Sequence, residues 1–165
     1  MAKNLAQSNI SAIDVSAEAL KVAKRNAVLN EVNVNFIEID ILKTNSLNDI
    51  TSKTKQSHDK EIEFDIIISN PPYVRELEKV EIQNNVLQNE PHLALFVADD
   101  NPLVFYNKIA DLAKNHLSEK GILFFEINQY LGKETVELLK YKGFQTVELR
   151  KDLFQNDRMI RATLK

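Results

Sequence analysis

Residues 64–74 read FDIIISNPPYV. The three consecutive isoleucines are β-branched, and the run is too short for a helix. A continuous apolar run of this length suits a strand buried on both faces, as in a parallel sheet. It ends at Asn70, and Pro71 and Pro72 cannot extend a central strand. Upstream, 34–39 (VNFIEI) reads as a second strand ending at Asp40, and 8–14 (SNISAID) as a third ending at Asp14. Between these two, Ser16 is placed to cap a helix, with Glu18 in its first turn. Ala19, Leu20, Ala23 and Ala27 recur at helical spacing to about Asn30. Residues 43–61 are polar and read as a loop with one weak helical turn.

Downstream, 73–98 is irregular with a mixed helical pattern. Asp99 or Asp100 is expected to cap the next helix, with Pro102 in its first turn. Leu103, Tyr106, Ala110, Ala113 and Leu117 form the expected buried face, and Gly121 the expected stop. A strand at 122–127 (ILFFEI) follows, then a helix at 131–142 stopped by Gly143. Strands at 144–149 and 159–164 are expected to pair antiparallel. The order β-α-β-β-α-β-α-β-β predicts helices packed on a mostly parallel sheet. Ligands of such sheets sit at the carboxyl ends of the strands, where Asp14, Asp40 and Asn70 fall.

The 165 residues suffice for one domain. No apolar run approaches the roughly 20 residues of a membrane span. Without cysteine there is neither disulfide nor thiolate metal site. His58, His92 and His116 show no metal-ligand spacing. With 21 basic and 24 acidic residues the net charge is −3, which lacks the basic excess of a dedicated nucleic-acid binder. Glycine is scarce, with only Gly121, Gly132 and Gly143.

Asn70-Pro71-Pro72-Tyr73 carries the chemistry. An amide or aromatic amine nitrogen is a poor nucleophile because its lone pair is delocalised. Two acceptors on rigid backbone, the Asn70 side-chain oxygen and the Pro71 carbonyl, can bind both N–H groups and aim that lone pair at a methyl donor. Proline fixes φ and brings no competing donor, and Tyr73 offers a flat wall for stacking. Positioning and electrostatics then suffice for in-line transfer. Asn and Pro are also ordinary turn residues. The isoleucine strand before them and the two acid-ended strands upstream favour the catalytic reading.

AIDVSAEALKVAKRNA (12–27), Asp40, FDIIISNPPYV (64–74), NEPHLAL (89–95) and FEINQ (125–129) together resemble the protein-(glutamine-N5) methyltransferases that modify the Gly-Gly-Gln loop of peptide-chain release factors. The resemblance covers essentially the whole chain. It implies a single catalytic domain over 1–165 with a Rossmann-like class I methyltransferase sheet, mostly parallel with an antiparallel C-terminal strand. It implies S-adenosylmethionine as cofactor and a release factor as partner; the composition, without cysteine or a long apolar run, fits a cytoplasmic location best. Asn70, Pro71, Pro72 and Tyr73 would be the catalytic motif. Asp14 would hold the ribose hydroxyls, Asp40 and Ile41 would border the adenine, and Asn70 would also lie near the methionine end. Asn70, Pro71, Tyr73 and Glu90 would contact substrate. Glu126 could as well be a structural carboxylate, and Asp152 and Arg158 read better as a surface ion pair. Two other functions stay open: methylation of an exocyclic amine of adenine or guanine in nucleic acid, and a catalytically inactive methyltransferase-like fragment.

The chain departs from the family in one respect. The family's first, central strand and its glycine-rich loop have no counterpart here, and no Gly-x-Gly occurs. The expectation is an N-terminally truncated chain that binds cofactor weakly and exposes a sheet edge open to self-association.

Overall fold

The computed structural model describes residues 1–5, 7–50, 62–81 and 91–165. It divides into two compact units, Met1–Asp59 and Lys60–Lys165.

In the first unit, β1 (Ser11–Asp14) and β2 (Asn35–Glu38) pair in parallel and are joined by α1 (Ala17–Leu29). Ser16 caps α1 as expected: its Oγ accepts the Ala19 N–H at 3.2 Å. Leu20 is the buried residue of the helix, which packs on both strands. A single 3-10 turn, Leu47–Ile50, lies in the polar stretch that follows.

In the second unit, β3 (Phe64–Ser69) leads through the Asn-Pro-Pro-Tyr segment to a two-residue strand β4 (Val74–Arg75) and a 3-10 helix, Glu76–Glu81. A four-residue helix α2 (His92–Leu95) and β5 (Phe96–Val97) follow, and β5 pairs in parallel with β4. Next come α3 (Val104–His116), β6 (Leu117–Glu126), α4 (Gly132–Tyr141), β7 (Thr146–Lys151) and β8 (Asp157–Thr163). The main sheet has the order β3-β6-β8-β7. β3 and β6 are parallel, while β8 runs antiparallel to both its neighbours. Among the described residues β3 is an edge strand, and β1 pairs only with β2.

Alternation along the strands places the core. Leu123 and Phe125 of β6 and Ile160 and Ala162 of β8 are buried, as are Tyr106 and Leu139 of the helices. Tyr106 meets Phe125 edge to face at 5.2 Å. Helices α3 and α4 pack on each other, α3 on β6, and α4 on β7 and β8. Gly143 ends α4 with φ of 97°, the left-handed conformation expected of a helix stop.

Three expectations fail for physical reasons. β3 is not buried on both faces: Ile66 is 42% and Ile68 54% exposed, on a strand that among the described residues lies at the edge of its sheet. Neither Asp99 nor Asp100 caps α3, whose N-cap is Leu103; Asp99 Oδ1 instead accepts the Leu77 N–H at 3.1 Å. Gly121 does not stop α3. The helix ends where Leu117 turns extended and pairs with Phe64, and Gly121 lies within β6 beside a register shift.

The glycine there makes room. A Cβ at Gly121 would lie 2.9 Å from the carbonyl oxygens of Phe64 and Ser118. Backbone atoms cannot swing aside, so Gly121→Ala is expected to cost about 1–3 kcal/mol. The midpoint of a thermal melt should fall by roughly 2–4 °C per kcal/mol. Lys165→Ala removes only an exposed ion pair with Glu119, and should leave the midpoint within a few degrees.

Candidate active site

In the second unit, Asn70, Pro71, Tyr73, Val74, Ala94 and Leu95 line an open pocket of about 90 Å³. The strand register explains its position. Ser69, the last residue of β3, pairs with Phe125, so the Asn-Pro-Pro-Tyr segment leaves the sheet beside the end of β6. Asn70 is exposed, Pro71 buried, and Pro72 and Tyr73 half-buried.

The segment is tied to the sheet at Tyr73. Its phenol donates to Glu126 Oε1 at 2.9 Å, and its carbonyl accepts from Asn128 Nδ2 at 2.9 Å. Burial, and then the carboxylate of Glu126, push the phenol above its ordinary value, so it stays protonated and donates. Tyr106 lies behind, donating to the Glu126 carbonyl at 3.2 Å.

Behind the segment lies a buried carboxylate, Glu78, at 6% exposure. Its Oε1 accepts Arg75 Nε and Nη2, and its Oε2 accepts the Arg75 backbone N–H and Asn128 Nδ2. Burial pushes this carboxyl up, but the guanidinium and backbone N–H of Arg75 and the Asn128 amide outweigh it and hold it below the ordinary 4.5. The guanidinium also sits 6.0 Å from the ring centroid of Tyr130. Glu78 and Asn128 escaped the sequence reading. The spacing Arg75-x-x-Glu78 and the Asn128 within FEINQ were the available signals.

The first unit carries the other acids. Asp14 ends β1, and its carbonyl accepts the Ile39 N–H at 3.0 Å, so Asp14 and Asp40 lie at the same end of the two paired strands. Asp14 is exposed; its Oδ1 accepts the Ser16 N–H at 2.7 Å. Asp40 accepts the Leu42 N–H at 3.1 Å and pairs with the exposed Lys43 at 3.0 Å, which lowers its pKa. Ile41 follows and is half-buried. Glu90 lies outside the described residues. Asp152 and Arg158 form the expected ion pair at 3.5 Å.

Comparison with known proteins places this arrangement. The profile described as Eco57I restriction-modification methylase matches residues 8–135. The chain belongs to this methylase family. Over all its 165 residues it is 55% identical to a release factor glutamine methyltransferase of Flavobacterium psychrophilum, covering 53% of that protein. It is 38% identical over 160 residues to one of Bacteroides thetaiotaomicron, covering 97% of this chain and 53% of the relative. The family resemblance read from the sequence is therefore borne out. The methylase chain spans about half the length of these curated relatives. Among solved structures, a methyltransferase of Pyrococcus furiosus superposes with a TM-score of 0.59 at 18% identity, over 94% of this chain and 62% of that one. An S-adenosylmethionine-dependent methyltransferase of Clostridium acetobutylicum superposes with a TM-score of 0.53 at 13% identity, over 95% and 75%. The fold is that of the class I methyltransferases.

The depressed carboxyl of Glu78 predicts a pH dependence. A carboxyl held below its unfolded value contributes stability that is fully present above pH 4.5 and is lost as pH falls through the lower, folded value. Urea midpoints of the methylase should therefore decline on acidification below that pH. Glu78→Gln should start from a lower midpoint at pH 7 and decline less steeply.

Proposed function

We propose that the protein carrying this chain transfers a methyl group from S-adenosylmethionine to the side-chain amide nitrogen of glutamine in the Gly-Gly-Gln loop of a peptide-chain release factor. The observation that carries the reading is the 55% identity, across the whole chain, to a protein named for that activity. The pocket beside Asn70 and Pro71 supports it. It opens to solvent beside the two proposed acceptors and the Tyr73 ring. The net charge of −3 points the same way. A substrate engaged in peptide-chain release places the reaction in the cytoplasm. No described helix is long and apolar enough to cross a membrane.

The residues fit the cofactor by the chemistry of their donors. Asp14 is an exposed carboxylate at a strand end, with one oxygen used by Ser16, and suits a ribose diol as in dinucleotide sites. Asp40 suits an exocyclic amine, with Lys43, at 86% side-chain exposure, able to swing aside; Ile41 borders it with apolar surface. When bound, S-adenosylmethionine supplies a sulfonium-activated methyl group. The Asn70 side-chain oxygen and the Pro71 carbonyl accept the two amide N–H groups. That orientation turns the nitrogen lone pair toward the donor. Pro72 stiffens the loop, and the Tyr73 ring excludes water from one side of the amide. The nitrogen would gain the methyl carbon as the methyl–sulfur bond breaks with its electron pair left on sulfur, and would give up one proton to water from an N–H held by these acceptors. Glu90 is assigned to the substrate side.

The test uses the full-length protein, purified release factor and mass spectrometry of the Gly-Gly-Gln peptide. One added methyl on the glutamine is expected, and Asn70→Ala should lower kcat/KM by about 100–1,000-fold, the usual cost of removing one positioned polar group from a transition state. Methyl transfer to an adenine-containing oligonucleotide instead, with the glutamine unmodified, would sink the reading. Asp14→Asn should weaken calorimetric binding of S-adenosylmethionine about tenfold or more, the worth of one charge-assisted hydrogen bond.

A further inference from the structure

Behind the pocket lies a buried side chain that does not itself line it. Asn128 is 4% exposed and does not line the pocket. It makes three hydrogen bonds: its Nδ2 donates to the Tyr73 carbonyl at 2.9 Å and to Glu78 Oε2 at 2.7 Å, and its Oδ1 accepts the Tyr130 N–H at 2.9 Å. From fifty residues further along the chain than Glu78, it thus joins the Tyr73 end of the motif segment to the Arg75–Glu78 ion pair. Glu78 in turn holds the backbone N–H of Arg75, two residues past Tyr73.

The chain between the anchors has little freedom. Asn70 follows β3, which is laddered to β6 through Ser69. Pro71 and Pro72 have fixed φ and no N–H, so neither can be held by a donor of its own. The direction of the Pro71 carbonyl then depends on the few remaining ψ torsions and on where Tyr73 is pinned. Tyr73 is pinned twice, at its carbonyl by Asn128 and at its phenol by Glu126. The phenol is at the end of a side chain with its own torsions, whereas the carbonyl is backbone, so Asn128 controls the segment more directly.

We propose that Asn128, held in place by Glu78, is a positioning residue that sets the aim of the Pro71 carbonyl at the substrate amide. This rests on reading residues 70–73 as the amide-orienting loop. Asn128 acts through Tyr73 and contacts neither substrate nor cofactor.

The test uses the full-length protein as wild type, Asn128→Ala and Glu78→Gln, with two independent readouts. The first is steady-state methylation of release factor. kcat should fall by about 100-fold, the order of loss that a misplacement near 1 Å produces, with the KM for S-adenosylmethionine within about twofold of wild type. The second is hydrogen exchange at the amides of Tyr73, Val74 and Arg75, which should speed up at least about tenfold while α3 and β6 keep their protection. If Asn128→Ala does not fold, Glu78→Gln reads the same connection, since its new amide group must oppose a donor of either Arg75 or Asn128. Unchanged exchange in folded variants would overturn the clamp even where wild type methylates glutamine. Faster exchange with an unchanged kcat would overturn its role in positioning. Faster exchange in a protein whose wild type does not methylate glutamine would overturn the catalytic role and the functional reading together, leaving only a structural tie.

Discussion

The pairing of β3 with β6 is the constraint on which the rest of the second unit depends. Because the strands run in parallel, their carboxyl ends lie side by side, with Ser69 opposite Phe125. Everything chemically interesting in this unit leaves the sheet at that point. One strand continues into Asn70-Pro71-Pro72-Tyr73, the other ends at Glu126 and continues to Asn128. An antiparallel pairing would put these segments at opposite ends. The register break lower in the ladder, where Phe64 pairs with Leu117 but Ile66 with Ile122, is absorbed around Gly121, so the upper rungs stay regular where the site needs them.

Such a site needs rigidity without a stiff backbone, and the fold supplies it through buried polar groups. A carboxylate taken out of water is costly unless paired and hydrogen-bonded. Glu78 has four donors, three of them from Arg75. No described buried side-chain polar atom lacks a partner. A satisfied network of this kind adds little net stability, yet removal of one member leaves the others unpaired at about 1–3 kcal/mol each. Its effect is therefore on uniqueness of conformation more than on stability. The proline pair is the complement: it reduces the torsions that the network has to hold.

Much of this was legible in the residues, for reasons that are local. Ser16 and Glu18 mark the start of α1, Gly143 the end of α4, and the isoleucine run the bounds of β3; each signal lies within a few residues of what it specifies. The failures are non-local. Nothing in 64–69 says that this strand will lie at a sheet edge among the described residues, so Ile66 and Ile68 read as buried. Gly121 has the composition of a helix stop, and only the approach of the Phe64 carbonyl shows why glycine is there. Asp99 looks like a cap until Leu77 claims its carboxylate. Asn70 to Tyr73 could be put forward as a candidate site because the proposed chemistry needs adjacent residues. Asn128 and Glu78 could not, because fifty residues separate them and a buried asparagine or glutamate has no signature of its own.

Among the described residues, the hydrogen bonds that fix Tyr73, Glu78, Arg75 and Asn128 are internal to Lys60–Lys165. The acids of the first unit are likewise fixed by their own ladder, through the bond from Ile39 to Asp14 and the turn bonds at Ser16 and Leu42. Among the described residues, each set of groups thus takes its local geometry from bonds within its own unit: a buried ion pair and an asparagine for residues 73–78, strand-end and turn bonds for Asp14 and Asp40.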